Sequence, residues 1–101
     1  MRLILMFDLP STTSKDLKIA RKWHNFLISN GFIMMTESVY SRIVMNRSIV
    51  ESVKKIIKQH LPPHGNIQLL EITERQYSSI EYLVGHAQHL VIDSNERYIE
   101  I

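Results

Sequence analysis

Cysteine is absent from this 101-residue chain, which excludes a disulfide framework, a thiol nucleophile and a cysteine-based zinc site. The absence fits a reducing compartment. Long hydrophobic runs are missing too. The start, MRLILMFDLP, is apolar only from Leu3 to Phe7 before Asp8 and Pro10 close it, and no small-residue cleavage pattern follows. Nothing approaches the roughly 18 apolar residues that span a bilayer, so a cytoplasmic protein with no membrane contact is expected. Glycine is scarce, and Gly31, Gly65 and Gly85 stand too far apart to form a phosphate-cradling loop. No Ser-His-Asp order is readable. His86 and His89 are close in sequence, with His60 and His64 elsewhere, but without cysteine or a fixed glutamate beside them the spacing is a poor zinc signature.

What is present suits one folded domain. Hydrophobic residues make up 45% of the chain, an ordinary share for a globular protein. A chain of this size buries only roughly 60–65% of its surface, so pairing with a second copy would add stability. The net charge is +2, yet residues 1–60 hold ten Lys/Arg against four Asp/Glu, while residues 61–101 hold two against six. Such an asymmetry can turn a basic side toward a polyanion. A solvated surface with uneven charge is the plainer reading of the same count.

Leu3 to Phe7 reads as a strand that is apolar on both faces and therefore needs cover on both. Two helices can cover one face, and a second copy is the economical cover for the other. Pro10, lacking an amide donor, ends the strand. Thr13 or Ser14 caps the next helix with Asp16 completing a capping arrangement, and Asn30-Gly31 stops it. Around this helix Leu17, Ala20, Trp23, Phe26 and Leu27 form an apolar arc. Lys15, Lys18, Arg21, Lys22 and Asn25 form the opposite arc, with four cations and no anion among them.

Strands are expected at Phe32 to Thr36 and Val39 to Met45, joined tightly at Glu37-Ser38. A second helix starts at Asn46 with a buried stripe of Ile49, Val50, Val53, Ile56 and Ile57. After the break at Pro62-Pro63-His64-Gly65, a fourth strand runs from Asn66 to Ile72, and Thr73 with Gln76 caps a short helix, Glu74 to Ile80. The order β-α-β-β-α-β is the split pattern of an α/β (α+β) ferredoxin-like sandwich with a four-stranded antiparallel sheet. Residues 1–80 make this domain. Residues 81–101 make a tail for dimer and partner contacts, whose apolar patches at 82–84, 90–92 and 98–101 suit pairing with a partner's sheet edge.

Asp8 follows the apolar strand, where a carboxylate must be solvated, hydrogen-bonded or metal-bound. It either caps the loop amides at Ser11 to Ser14 or ligates magnesium or manganese, a second copy supplying the second carboxylate. Ser38, Tyr40 and Arg42 alternate onto one face of their strand. Arg42 meets phosphate or pairs with Glu37 or Glu71.

The segments RLILMFDLP at 2–10, GFIMMTESVYSRIV at 31–44 and GNIQLLEITERQYSSIEYLVG at 65–85 resemble the small CRISPR-associated adaptation protein, the dimeric partner of the spacer integrase. They are most similar to the form from systems with a single large effector nuclease. The resemblance implies a ferredoxin-like homodimer with its sheets face to face and its C-terminal strands extending the partner's sheet. It implies a scaffold role in spacer acquisition, with integrase dimers clasping the dimer and a basic surface supporting a DNA duplex. The family's aspartate at the end of the first strand falls on Asp8. By resemblance Asp8 is then a ligand of Mg2+ (or Mn2+) and the catalytic residue of an endonuclease or endoribonuclease. The family's Ser-Val-Tyr-Ser-Arg segment falls on Ser38 to Arg42.

Charge geometry, rather than a family match, selects Lys15, Lys18, Arg21 and Lys22 for the DNA contact, with Arg42 and Arg47 behind them. The runner-up reading makes metal-dependent endoribonuclease or endonuclease activity the main role. A single-stranded RNA module on the same fold wants two or three aromatics on the open sheet face, which Phe7 and Tyr40 do not supply.

Overall fold

The structure, a computed structural model, describes residues 1–86. The apolar N-terminal run forms β1 (Arg2–Asp8), followed by α1 (Ser14–Ser29), β2 (Ile33–Thr36), β3 (Val39–Ile43), α2 (Arg47–Gln59), β4 (Asn66–Ile72) and a short α3 (Glu74–Ser78). The strands lie in the order β2-β3-β1-β4, every neighbouring pair antiparallel. This is the ferredoxin-like topology, with two helices against a four-stranded antiparallel sheet. The expected strand at the C-terminus, with its patches at 90–92 and 98–101, lies outside the described residues. Tyr82-Leu83-Val84 is exposed and belongs to no helix or strand. Among the described residues no helix is long and apolar enough to cross a membrane.

Strand alternation divides β1 between two environments. Leu3 and Leu5 are fully buried and pack with Trp23 and Leu27 of α1 and Val50, Val53 and Ile57 of α2. Leu5 is central, opposite Tyr40 on one side and Leu69 on the other. Truncating such a residue to alanine costs about 2–5 kcal/mol. Ile4 and Met6 point to the other face, where they meet Ser41, Leu70 and Val39 in register. On that face Ile43 and Leu70 are each 50% exposed. The two long helices thus leave this face to other cover, as the first strand's composition implied: Ile4 and Ser41 at its centre are buried, while Ile43 and Leu70 stay open.

The local signals for helix boundaries act where the sequence puts them. Thr13 Oγ1 accepts from the Asp16 amide at 3.0 Å, and Asp16 Oδ2 accepts from the Thr13 amide at 3.1 Å. Thr73 and Gln76 form the same reciprocal box at α3. Asn46 caps α2 through the Ile49 amide at 2.9 Å. The Glu37-Ser38 turn places Ser38 at φ +67°, a left-handed conformation.

Some expectations need correction. Leu17 is 51% exposed and Ile56 37%, although periodicity put both on buried stripes. Phe32 is buried but precedes β2, β3 ends at Ile43 rather than Met45, and α3 ends at Ser78 rather than Ile80. Arg2 anchors α3: its Nε donates to Glu74 Oε2 at 3.0 Å, and its guanidinium lies 3.8 Å over the Tyr77 ring.

Candidate nucleic-acid interface and the Asp8 rim

Asp8 is the last residue of β1 and opposes Asn66, the first of β4. Its position depends on Gly65. At φ +103° a side chain is strained there, and an added Cβ would lie 2.6 Å from the Asp8 carbonyl oxygen and 2.8 Å from Leu9 Cδ2. By alternation the Asp8 side chain belongs to the face of Ile4 and Met6, at the rim of the partly open apolar surface. The residue is exposed.

The capping role considered for Asp8 belongs to Asp16 instead, whose Oδ2 accepts from the Thr12 and Thr13 amides at 3.2 and 3.1 Å. Those bonds, the Thr13 amide foremost, hold the Asp16 carboxyl below its ordinary 3.8. Asp8 is thereby left without a structural hydrogen bond among the described residues. Among the described residues no group of three or more His, Cys, Asp or Glu gathers where it could hold a metal ion.

The six expected cations separate into three settings. Lys15, Lys18, Arg21 and Lys22 are all exposed along α1. Spacings of three and four residues put them on adjoining positions of one helical surface. Among the described residues none has a carboxylate within ion-pair distance. Arg47 is different. Its Nη1 donates to Glu71 Oε1 at 3.0 Å and to Glu51 Oε2 at 3.5 Å, while Lys54 Nζ lies 3.9 Å from each of the two glutamates. The Arg47 bond is the main cause holding Glu71 below its ordinary 4.5.

Arg42 stands apart from both. It lies on the helix-covered face and lines a cleft beside the end of α1, with its Nε 2.9 Å from where a Cβ of Gly31 would be. Neither Glu37 nor Glu71 pairs with it, since Glu71 is taken by Arg47. Tyr40, on β3 like Arg42, is buried and shares a hydrogen bond with His24 Nδ1. Burial, reinforced by the Glu37 charge, pushes its hydroxyl above the ordinary phenol value and keeps it neutral. Neither this pair nor the Arg42 cleft is visible in the sequence, because both join residues that no local period connects.

Similarity to known proteins covers the same span. The family model described as CRISPR associated protein Cas2 matches residues 1–80. The chain is 40% identical over 99 residues to the CRISPR-associated endoribonuclease Cas2 of Streptococcus mutans, covering 98% of this chain and 91% of that protein. It is 42% identical over 99 residues to the protein of the same name from Ligilactobacillus salivarius, covering 98% of each. With its namesake from Lacticaseibacillus rhamnosus the identity is 38% over 101 residues and 100% of both chains. With the β-α-β-β-α-β sheet and helices all inside the matched region, the chain belongs to the Cas2 family of CRISPR adaptation proteins.

Proposed function

We propose that two copies of this chain form a scaffold for CRISPR spacer acquisition, binding duplex DNA and bridging dimers of the integrase. The sequence blocks favour the form that serves systems with a single large effector nuclease. The observation that carries the DNA-binding reading is the α1 row of Lys15, Lys18, Arg21 and Lys22, exposed and without ion pairs among the described residues. Solvated helix faces normally mix signs, and an unmixed row is the footprint of a phosphate backbone. Contacts of this kind hold a duplex without reading its sequence. The partly open face with Ile43 and Leu70 supports face-to-face pairing of two sheets.

A second reading, hydrolysis of phosphodiesters, draws on the Asp8 carboxylate, exposed at the rim of that same face. The relatives named above are called endoribonucleases. Face-to-face pairing would bring two Asp8 side chains toward one axis, giving the donor pair that one chain lacks. Mg2+ or Mn2+ held there would supply water activation and charge neutralisation.

The deciding experiment measures magnesium-dependent cleavage of matched RNA and duplex DNA by wild type and Asp8→Asn, with binding recorded alongside. Duplex binding by both proteins without cleavage leaves the scaffold as the whole function. Cleavage by wild type that the variant loses while still binding establishes the nuclease and its substrate. Duplex binding that survives replacement of all four α1 cations by glutamine removes α1 from the interface.

A further inference from the structure

Arg42 stands behind the α1 row as a candidate duplex contact, but the cleft it lines belongs neither to that row nor to the Asp8 rim. It has a volume of about 440 Å³ and is lined on one side by Ile49, Val53 and Ile56 of α2 and on the other by Asn30, Gly31 and Arg42. That volume falls within the roughly 300–1,000 Å³ of ordinary ligand clefts.

Arg42 is half-buried in it. Among the described residues, no carboxylate lies within ion-pair distance of its guanidinium and no hydrogen bond satisfies it. The end of α1 does not need the guanidinium as a cap. The carbonyls of Phe26, Leu27 and Ile28 already accept from the amides of Asn30, Phe32 and Gly31, and Asn30 Nδ2 adds a bond of 2.8 Å to Phe26. Gly31, at φ +87°, leaves the space into which Arg42 folds. A guanidinium carries five donors, and those of Arg42 reach solvent rather than a protein acceptor, so they are open to an acceptor that arrives from outside.

The geometry points to a docking site for a protein segment that presents a carboxylate beside an aliphatic side chain. The carboxylate is taken bidentately by Arg42, and the aliphatic group rests on the α2 wall, where Ile56 is 37% exposed. Charge complementarity selects an acidic segment. The aliphatic wall distinguishes it from a phosphate backbone, which offers no apolar partner and is served by the open row on α1. The site does not depend on the scaffold reading.

The test uses the full chain and a fluorescently labelled, end-blocked peptide, Ala-Leu-Glu-Ile-Leu-Ala, read by anisotropy against its Glu-to-Gln counterpart. Arg42→Gln, Arg42→Lys and Ile56→Ser are compared with wild type, each checked for unaltered circular dichroism. Charge-assisted bonds of this type carry about 1.5–3 kcal/mol, so Arg42→Gln and the glutamine peptide should each weaken binding about tenfold or more. The two changes together should weaken it no further, and Arg42→Lys should restore part of the affinity. Ile56→Ser should weaken binding while leaving duplex affinity unchanged. Three results overturn the proposal: no peptide binding up to millimolar concentration, equal binding by wild type and Arg42→Gln, or duplex affinity that falls with Arg42→Gln as far as peptide affinity does.

Discussion

Replacing Gly65 by alanine isolates the close approach that fixes the end of β1, and Gly31→Ala is its natural control. Both glycines adopt positive φ, +103° and +87°, so both substitutions carry a similar backbone strain, about 1–2 kcal/mol. Both also restrict the unfolded chain to a similar extent, a gain of about 0.4–1 kcal/mol. These contributions cancel in the comparison.

What differs is the neighbour. At Gly31 the new methyl meets Arg42 Nε at 2.9 Å, part of a flexible side chain that can swing aside. At Gly65 it meets the Asp8 carbonyl oxygen at 2.6 Å, a backbone atom held in the β1–β4 ladder. Relieving that overlap means separating the two strands at their Asp8–Asn66 end. Overpacking of this kind costs about 1–3 kcal/mol. Gly65→Ala should therefore be less stable than Gly31→Ala by that amount, a gap in melting temperature of roughly 5–15 °C for a domain of this size. Urea unfolding by circular dichroism measures it, at one fixed protomer concentration because association shifts apparent stability. Equal midpoints for the two variants would refute the claim that Gly65 fixes the rim.

Three further outcomes are expected. Stepwise replacement of Lys15, Lys18, Arg21 and Lys22 by glutamine should lower the slope of log affinity for duplex DNA against log salt by about 0.9 for each phosphate no longer neutralised; Arg47→Gln, already ion-paired, should leave that slope nearly unchanged. The carboxyls of Asp16 and Glu71 lie below their ordinary 3.8 and 4.5, so each stabilises the fold above those values and ceases to do so as pH falls through its lowered one. Urea midpoints should accordingly decline below about pH 4.5, and Glu71→Gln should make that decline shallower. Leu70→Glu, at a position 50% exposed on the partly open face, should yield a folded monomer by sedimentation; a persistent dimer would move the interface elsewhere.

The parts legible in the sequence are those with short-range causes. The Thr13/Asp16 and Thr73/Gln76 boxes depend on groups three residues apart, and a run apolar on both faces announces a central strand. Periodicity gives the angle of a helical face but not how far along the helix its cover extends, which is why Leu17 stays exposed at the start of α1 while Trp23 and Leu27 are buried. Side-chain partners across the fold have no local signature. On sequence grounds Glu71 is open to more than one arginine, and the choice of Arg47 is made by where the first turn of α2 lies relative to β4. The freedom of Asp8 depends in the same way on a competitor, Asp16, in the first turn of the next element.

The register of β1 sets a condition on synthesis. Arg2 pairs with Ile43 on one side and Ile72 on the other, so the first strand made is the last to be completed. Translation proceeds at about 5–20 residues per second, and until β4 leaves the ribosome one whole edge of β1 has no neighbour. During that interval the nascent chain presents an apolar strand edge together with its most basic sequence. Anything that delays the emergence of β4 prolongs the exposure and favours misassembly between neighbouring nascent chains.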